Sequence, residues 1–118
     1  MILVDTSVWI DHFRAANERL KSLLLDQQVL CHRFVIGELA CGTLRKRGEI
    51  LANLKALPEA HLVEHEEVMS FLETHRLYEQ GVGWVDAHLL ASTLLTHCTI
   101  WTFDKPLRRA ATALHVLA

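Results

Sequence analysis

The chain has 118 residues, 51% of them apolar and 22% charged. That is enough for one packed core, too short for two domains of ordinary size, and unlike a disordered tail. Its formal charge of -2 excludes a broad electrostatic attraction for nucleic acid, so any such contact has to be local.

In chain order, Ile2-Leu3-Val4 is a short apolar run ended by Asp5, the pattern of a buried parallel strand with an acid at its carboxyl end. Thr6 or Ser7 can cap the helix that follows, whose Val8, Trp9 and Phe13 would face the sheet. Leu20, Leu23 and Leu24 mark a second helix, and Val29-Leu30-Cys31 a second strand. The stretch 34–41 then predicts a helix that stops near Gly42 and carries Glu38 among apolar neighbours. Ile50, Leu51, Leu54 and Leu57 recur at helical intervals within 43–57, and Pro58 closes that element. Leu62-Val63 is expected as a third short strand, followed by a charged helix over 66–79 with the stripe Val68, Phe71 and Leu72. Past Gly81-Val82-Gly83, a helix starting near Val85 places Asp86 in its first turn, where the helix dipole favours an anion. Residues 99–102 read as a strand leading to Asp104, Pro106 sits in the first turn of the last helix, and Val116-Leu117 adds an edge strand.

This alternation predicts one α/β domain over 1–118, a parallel sheet with helices on both faces, in which function sits outside the carboxyl ends of the strands. Cys31, Cys41 and Cys98 are odd in number and form no CxxC pair, so neither a disulfide framework nor a thiolate zinc site is expected and a reducing cytoplasm fits. The first residues carry no basic leader and no apolar run of spanning length, so no membrane segment is expected.

Four acids occupy apolar segments, where an unpaired charge is costly: Asp5 and Asp104 after strands, Glu38 within a helix, Asp86 at a helix start. Asp5 and Asp104 should end neighbouring strands at one edge, where the helix bearing Asp86 also opens. If the four converge, repulsion raises at least one pKa, and Mg²⁺ or Mn²⁺ relieves it. Such a site suits phosphodiester hydrolysis. Thr6, Ser7 and Thr102 are candidate hydroxyls for orienting the acids, although capping and strand propensity explain them nearly as well. Two basic groups, Arg45-Lys46-Arg47 and Lys105 with Arg108 and Arg109, offer local contacts to nucleic acid or are simply solvated helix faces.

At these residues the sequence resembles a family. VDTSVWID at 4–11, GELACG at 37–42, VDAHLLAS at 85–92 and TFDKPL at 102–107 are similar to the motifs of VapC toxins in the PIN-domain family, in the family's order and over essentially the whole chain. The resemblance implies a Rossmann-like three-layer sandwich and a Mg²⁺- or Mn²⁺-dependent endoribonuclease that leaves a 5′-phosphate and a 3′-hydroxyl. It also implies a toxin that forms a homodimer, is inhibited by a VapB-type antitoxin, and reaches operator DNA only through that antitoxin. By the same matching, Asp5, Glu38, Asp86 and Asp104 take the family's catalytic and metal positions. Many relatives have a further acid where Lys105 and Pro106 stand here, which leaves one and two metals both open.

Two other readings compete. His61-Leu62-Val63-Glu64-His65 spells the HxxEH of inverted zinc peptidases, but Pro58 lies just upstream, the segment reads better as a strand, and no third ligand is apparent. A catalytically inactive PIN-like module that binds RNA or protein would keep the fold and have no need of four acids. Trp9, Trp84 and Trp101 are better explained by packing than by base stacking, Trp84 least securely, and the remaining histidines lack metal-ligand spacing.

Overall fold

The computed structural model describes residues 1–118 and holds a three-stranded parallel sheet surrounded by seven α-helices. Strand β1 (Ile2–Val4) is central, with β2 (Val29–Leu30) on one side and β3 (Thr99–Trp101) on the other. The registers are Leu3 opposite Leu30 and Val4 opposite Trp101. Successive strand residues point to opposite faces, and Leu3 and Val4 are both fully buried, so both faces of the sheet are covered. The helices are α1 (Thr6–Arg14), α2 (Glu18–Leu25), α3 (Arg33–Cys41), α4 (Arg47–Lys55), α5 (His65–Thr74), α6 (Trp84–Thr96) and α7 (Lys105–Ala113), with a short 3₁₀ turn at Leu77–Glu79.

Two irregular segments widen the sheet. The Cys31 amide donates to the Pro58 carbonyl at 2.8 Å and the Ala60 amide to the Cys31 carbonyl at 2.9 Å, which lays 58–60 alongside the end of β2. On the other side the Ile100 amide donates to the Val116 carbonyl and the Ala118 amide to the Ile100 carbonyl, each at 2.8 Å. The expected edge at Val116-Leu117 is therefore present. The strand expected at Leu62-Val63 is not: the pairing falls on Glu59 and Ala60 instead, and 61–64 is irregular. The helix expected over 66–79 stops at Thr74, because Arg76 adopts a left-handed φ of 53° and the chain turns into the 3₁₀ segment. The helix within 43–57 is shorter than its apolar pattern, spanning Arg47–Lys55 after Lys46 at φ 53°.

His32 fastens α3 to α6. The Phe34 amide donates to its Nδ1 at 3.0 Å as an N-cap bond. The neutral ring therefore carries its proton on Nε2, 3.0 Å from Ser92 Oγ on α6. Burial, then the His88 charge, hold this imidazole down at about 4. The sequence reading gave His32 no role; its role is structural. Trp9 and Trp101 are buried, as packing predicts, while Trp84 is 38% exposed and touches the His65 and His88 rings. No helix is long and apolar enough to cross a membrane.

Candidate active site

Each acid is positioned by its own element. Beyond Val4 the ladder continues one step, the Asp5 amide bonding the Trp101 carbonyl at 2.9 Å. Asp5 then stays extended and caps α1, accepting from the Ser7 amide at 3.3 Å. Its Oδ2 also accepts the Ser7 hydroxyl at 2.7 Å and the Thr102 hydroxyl at 2.8 Å. Both hydroxyls thereby spend their single proton on one carboxylate oxygen, so the 3.3 Å contact between them is not a further donation. Their lone pairs take backbone donors instead, Phe103 N to Ser7 Oγ and Asp104 N to Thr102 Oγ1, both at 3.0 Å. This closed circuit joins the ends of β1 and β3. Asp5 Oδ1 has no partner in the chain and is not among its sealed polar atoms, so it remains open to solvent although Asp5 as a whole is buried.

Asp104 caps α7 in the same way, its Oδ2 accepting from the Leu107 amide at 3.0 Å, with Pro106 in the first turn where no N–H is needed. Glu38 lies in α3, and the hydroxyl of Thr6, first residue of α1, donates to its Oε1 at 2.9 Å. Asp86 sits in the first turn of α6, half-buried, with no hydrogen-bonded partner on its carboxylate. Burial first, then the charges of Asp5, Asp104 and Glu38, push its carboxyl up to about 7. The structure thus brings the four sequence-derived acids into one electrostatic neighbourhood, and none of them pairs with a Lys or Arg.

Burial differs from the sequence expectation. Asp5 is buried and Asp86 half-buried, whereas Glu38 and Asp104 are exposed: Glu38 faces out of α3 while Val35 and Leu39 turn inward, and Asp104 lies in an exposed stretch with Phe103 and Lys105. No three of the acids stand close enough together to close around one ion as they are. Thr6, Ser7 and Thr102 all bond an acid, so the hydroxyls singled out in the sequence are in the network.

The zinc-peptidase lookalike has no helical basis. Glu64 is the extended residue before α5 and His65 its first residue, so His61 and His65 do not share a helical turn, and all three are exposed. One feature was not legible in the sequence: a groove of about 420 Å³ opens from Glu38 along α1 to the 42–46 connection, with Arg14 and Arg45 in its wall. The motif pattern carries no signal for Arg14, which reads as an ordinary basic residue in the last turn of a helix.

The chain is similar to known proteins over nearly its whole length. The family model described as PIN domain matches residues 2–113. Two relatives called "Ribonuclease VapC32", from Mycobacterium tuberculosis strains CDC 1551 / Oshkosh and ATCC 25618 / H37Rv, are each 47% identical over 111 residues, 93% of this chain and 90% of the relative.

Proposed function

The chain belongs to the PIN-domain family, in its VapC branch, and from that premise we propose that it is a metal-dependent endoribonuclease toxin in which Asp5, Glu38, Asp86 and Asp104 hold Mg²⁺ or Mn²⁺. The observation that carries the reading is that four acids from four separate elements share one electrostatic neighbourhood and none of them pairs with a basic side chain. Their donors are hard oxygens, the chemistry that Mg²⁺ and Mn²⁺ prefer. Asp5 Oδ1, Asp104 Oδ1, Glu38 Oε2 and both Asp86 oxygens take no hydrogen bond from the chain and are available as ligands. Glu38 and Asp104, being exposed, have room to swing inward on binding.

When bound, the cation supplies the positive charge that a phosphodiester needs beside four acids and lowers the pKa of an attacking water. The chain's own groups do the rest. Ser7 and Thr102 fix Asp5 so that only Oδ1 is free, and Thr6 steadies Glu38. Asp86, once deprotonated, would accept a proton from the water lined up against phosphorus; as the water oxygen bonds to phosphorus the P–O3′ bond breaks, the 3′ oxygen takes up a proton from solvent, and the RNA is left with a 5′-phosphate and a 3′-hydroxyl. As a toxin, the protein acts in the cytoplasm as a homodimer and is held inactive by a VapB-type antitoxin whose Arg or Lys enters the acidic ring. The complex meets operator DNA through the antitoxin alone. Leu51 and Leu54 of α4 are buried within the chain, so that helix's inward stripe does not serve as the dimer interface.

The test incubates the purified chain with a mixed pool of structured and single-stranded RNA, with Mg²⁺, Mn²⁺ or chelator, beside an Asp86→Asn protein prepared identically. Cutting that needs metal, occurs only with the unmutated chain and yields 5′-phosphate ends supports the reading. A 2′,3′-cyclic phosphate product, or equal cutting by both proteins, removes it, while metal binding without cutting favours the inactive binding module.

A further inference from the structure

Five of the eight arginines of this protein are already employed. Arg33 pairs with Glu59 at 3.0 Å and Arg76 with Glu79 at 2.6 Å. Arg47 donates to the Ala40 carbonyl at 2.8 Å, Arg108 to the Thr102 carbonyl at 3.2 Å, and the Arg19 guanidinium lies 4.4 Å from the Trp101 ring centre. Each basic cluster marked in the sequence is thereby split, with Arg47 and Arg108 holding backbone in place. Arg14, Arg45 and Arg109 are exposed and make no ion pair or hydrogen bond in the chain, and of these Arg14 and Arg45 line the groove whose wall also contains Glu38.

Resting on the ribonuclease activity proposed above, we propose that this groove is a track for the substrate's sugar-phosphate backbone, with Arg14 and Arg45 binding its phosphates on one side of the scissile bond. A chain of charge -2 repels RNA at long range, and four acids add to that repulsion locally, so productive binding needs a cationic contact close to the cut. Unpaired guanidinium groups supply it in the bidentate form that phosphate oxygens accept. The spacing suits a strand. From Thr6, which bonds Glu38, to Arg14 at the far end of α1, the helix rises about 12 Å at 1.5 Å per residue. A stacked strand carries a phosphate roughly every 3.4 Å of axis, so the track spans several nucleotides. Ile10, Phe13 and Leu44 between the arginines give ribose and base an apolar floor. The same floor also suits a protein helix, but an apolar helix gives two unpaired guanidinium groups nothing to bind; the phosphates do.

The experiment has two arms. In an Asp86→Asn background that cannot cut, anisotropy of a fluorescein-labelled single-stranded RNA of mixed sequence is followed against salt for the Arg14→Ala, Arg45→Ala and doubly substituted proteins. Each lost phosphate contact lowers the slope of log K against log salt by about 0.7, and Arg→Lys at either position, which keeps the charge, restores it. In the Asp86 background, the double variant raises KM about tenfold and leaves kcat within about twofold, the signature of lost ground-state binding. Both arginines are exposed, so unchanged thermal stability is expected and separates binding from folding. An unchanged slope and KM in the double variant, with the unmutated chain still cutting, overturns the assignment and leaves the floor to a protein partner. No cutting by the unmutated chain, with the slope still reduced in the double variant, removes the nuclease activity and retains the groove as an RNA site.

Discussion

Asp86 is where burial and charge act most strongly on a single group. Its carboxyl is pushed up to about 7 by burial and by Asp5, Asp104 and Glu38, against 3.8 in an unstructured chain. A carboxyl raised in the folded state stabilises the fold below the unfolded pKa, and that contribution is lost as pH rises from 3.8 through 7. The metal-free Asp86→Asn protein should therefore melt higher than the unmutated chain above pH 7, by a few degrees at about 4 °C per kcal/mol; equal melting temperatures at pH 8 would show that the four acids do not act on one another. Binding of a cation requires the deprotonated acid, so Mn²⁺ affinity measured by calorimetry should climb toward pH 7 and then level off. All four acids were legible in the sequence because each interrupts an apolar run with a charge. Their unequal exposure was not, since it depends on which way each side chain turns out of its element. Arg14 was illegible for the opposite reason: nothing in a helix's last turn distinguishes a guanidinium that faces a groove from one in open water.

At the scale of elements, the site is assembled from caps. Asp5 starts α1, His32 starts α3 and Asp104 starts α7, so the bonds that begin the helices also orient the acids or carry them to the sheet edge. Thr102 is fully buried and serves both ends, donating to Asp5 and accepting from the Asp104 amide. Thr102→Val keeps the shape but strands that amide, and should cost about 1–3 kcal/mol in urea unfolding together with about 10–100-fold in Mn²⁺ affinity; a stability loss with metal affinity intact would reduce Thr102 to a strand residue. His32 makes a separate prediction. Its pKa is depressed to about 4 from 6.5, so the stability it contributes is present above pH 6.5 and is lost as pH falls toward 4. His32→Asn keeps a capping acceptor without the titration, and its melting temperature should vary less between pH 6.5 and 4 than that of the unmutated chain. The elements themselves were mostly readable, because most helices carry an apolar stripe and the three strands are short apolar runs, while α6, buried through consecutive residues 87–93, is marked by its length and apolar content instead. The exceptions are 58–60, whose pairing rests on two backbone bonds rather than on any apolar run, and the break after Thr74, set by one left-handed residue at Arg76.

For the molecule as a whole, the sheet is protected at both margins by short segments that pair through an isolated bridge each. Residues 116–118 cover β3 with two 2.8 Å bonds and the buried Val116. Truncation after Leu114 should bare the edge of β3, lower the melting temperature and promote association beyond that of the full chain, an outcome that sedimentation of the two proteins at rising concentration would register; a truncated protein that sediments and melts as the full chain does would mean that the margin contributes nothing. The order of the strands has a further consequence in time. Asp5 and Asp104 stand 99 residues apart in the chain, and β1, which leads to the first, lies between β2 and the later-made β3. During synthesis β1 waits for a partner whose Trp101 lies 97 residues beyond Val4, the kind of distant pairing that forms slowly. A nascent or prematurely ended chain that stops short of β3 lacks Asp104 and the Thr102 hydroxyl that orients Asp5, so the capacity to destroy RNA arrives only after β3 has been made, and the cell is spared the action of copies that stop before it.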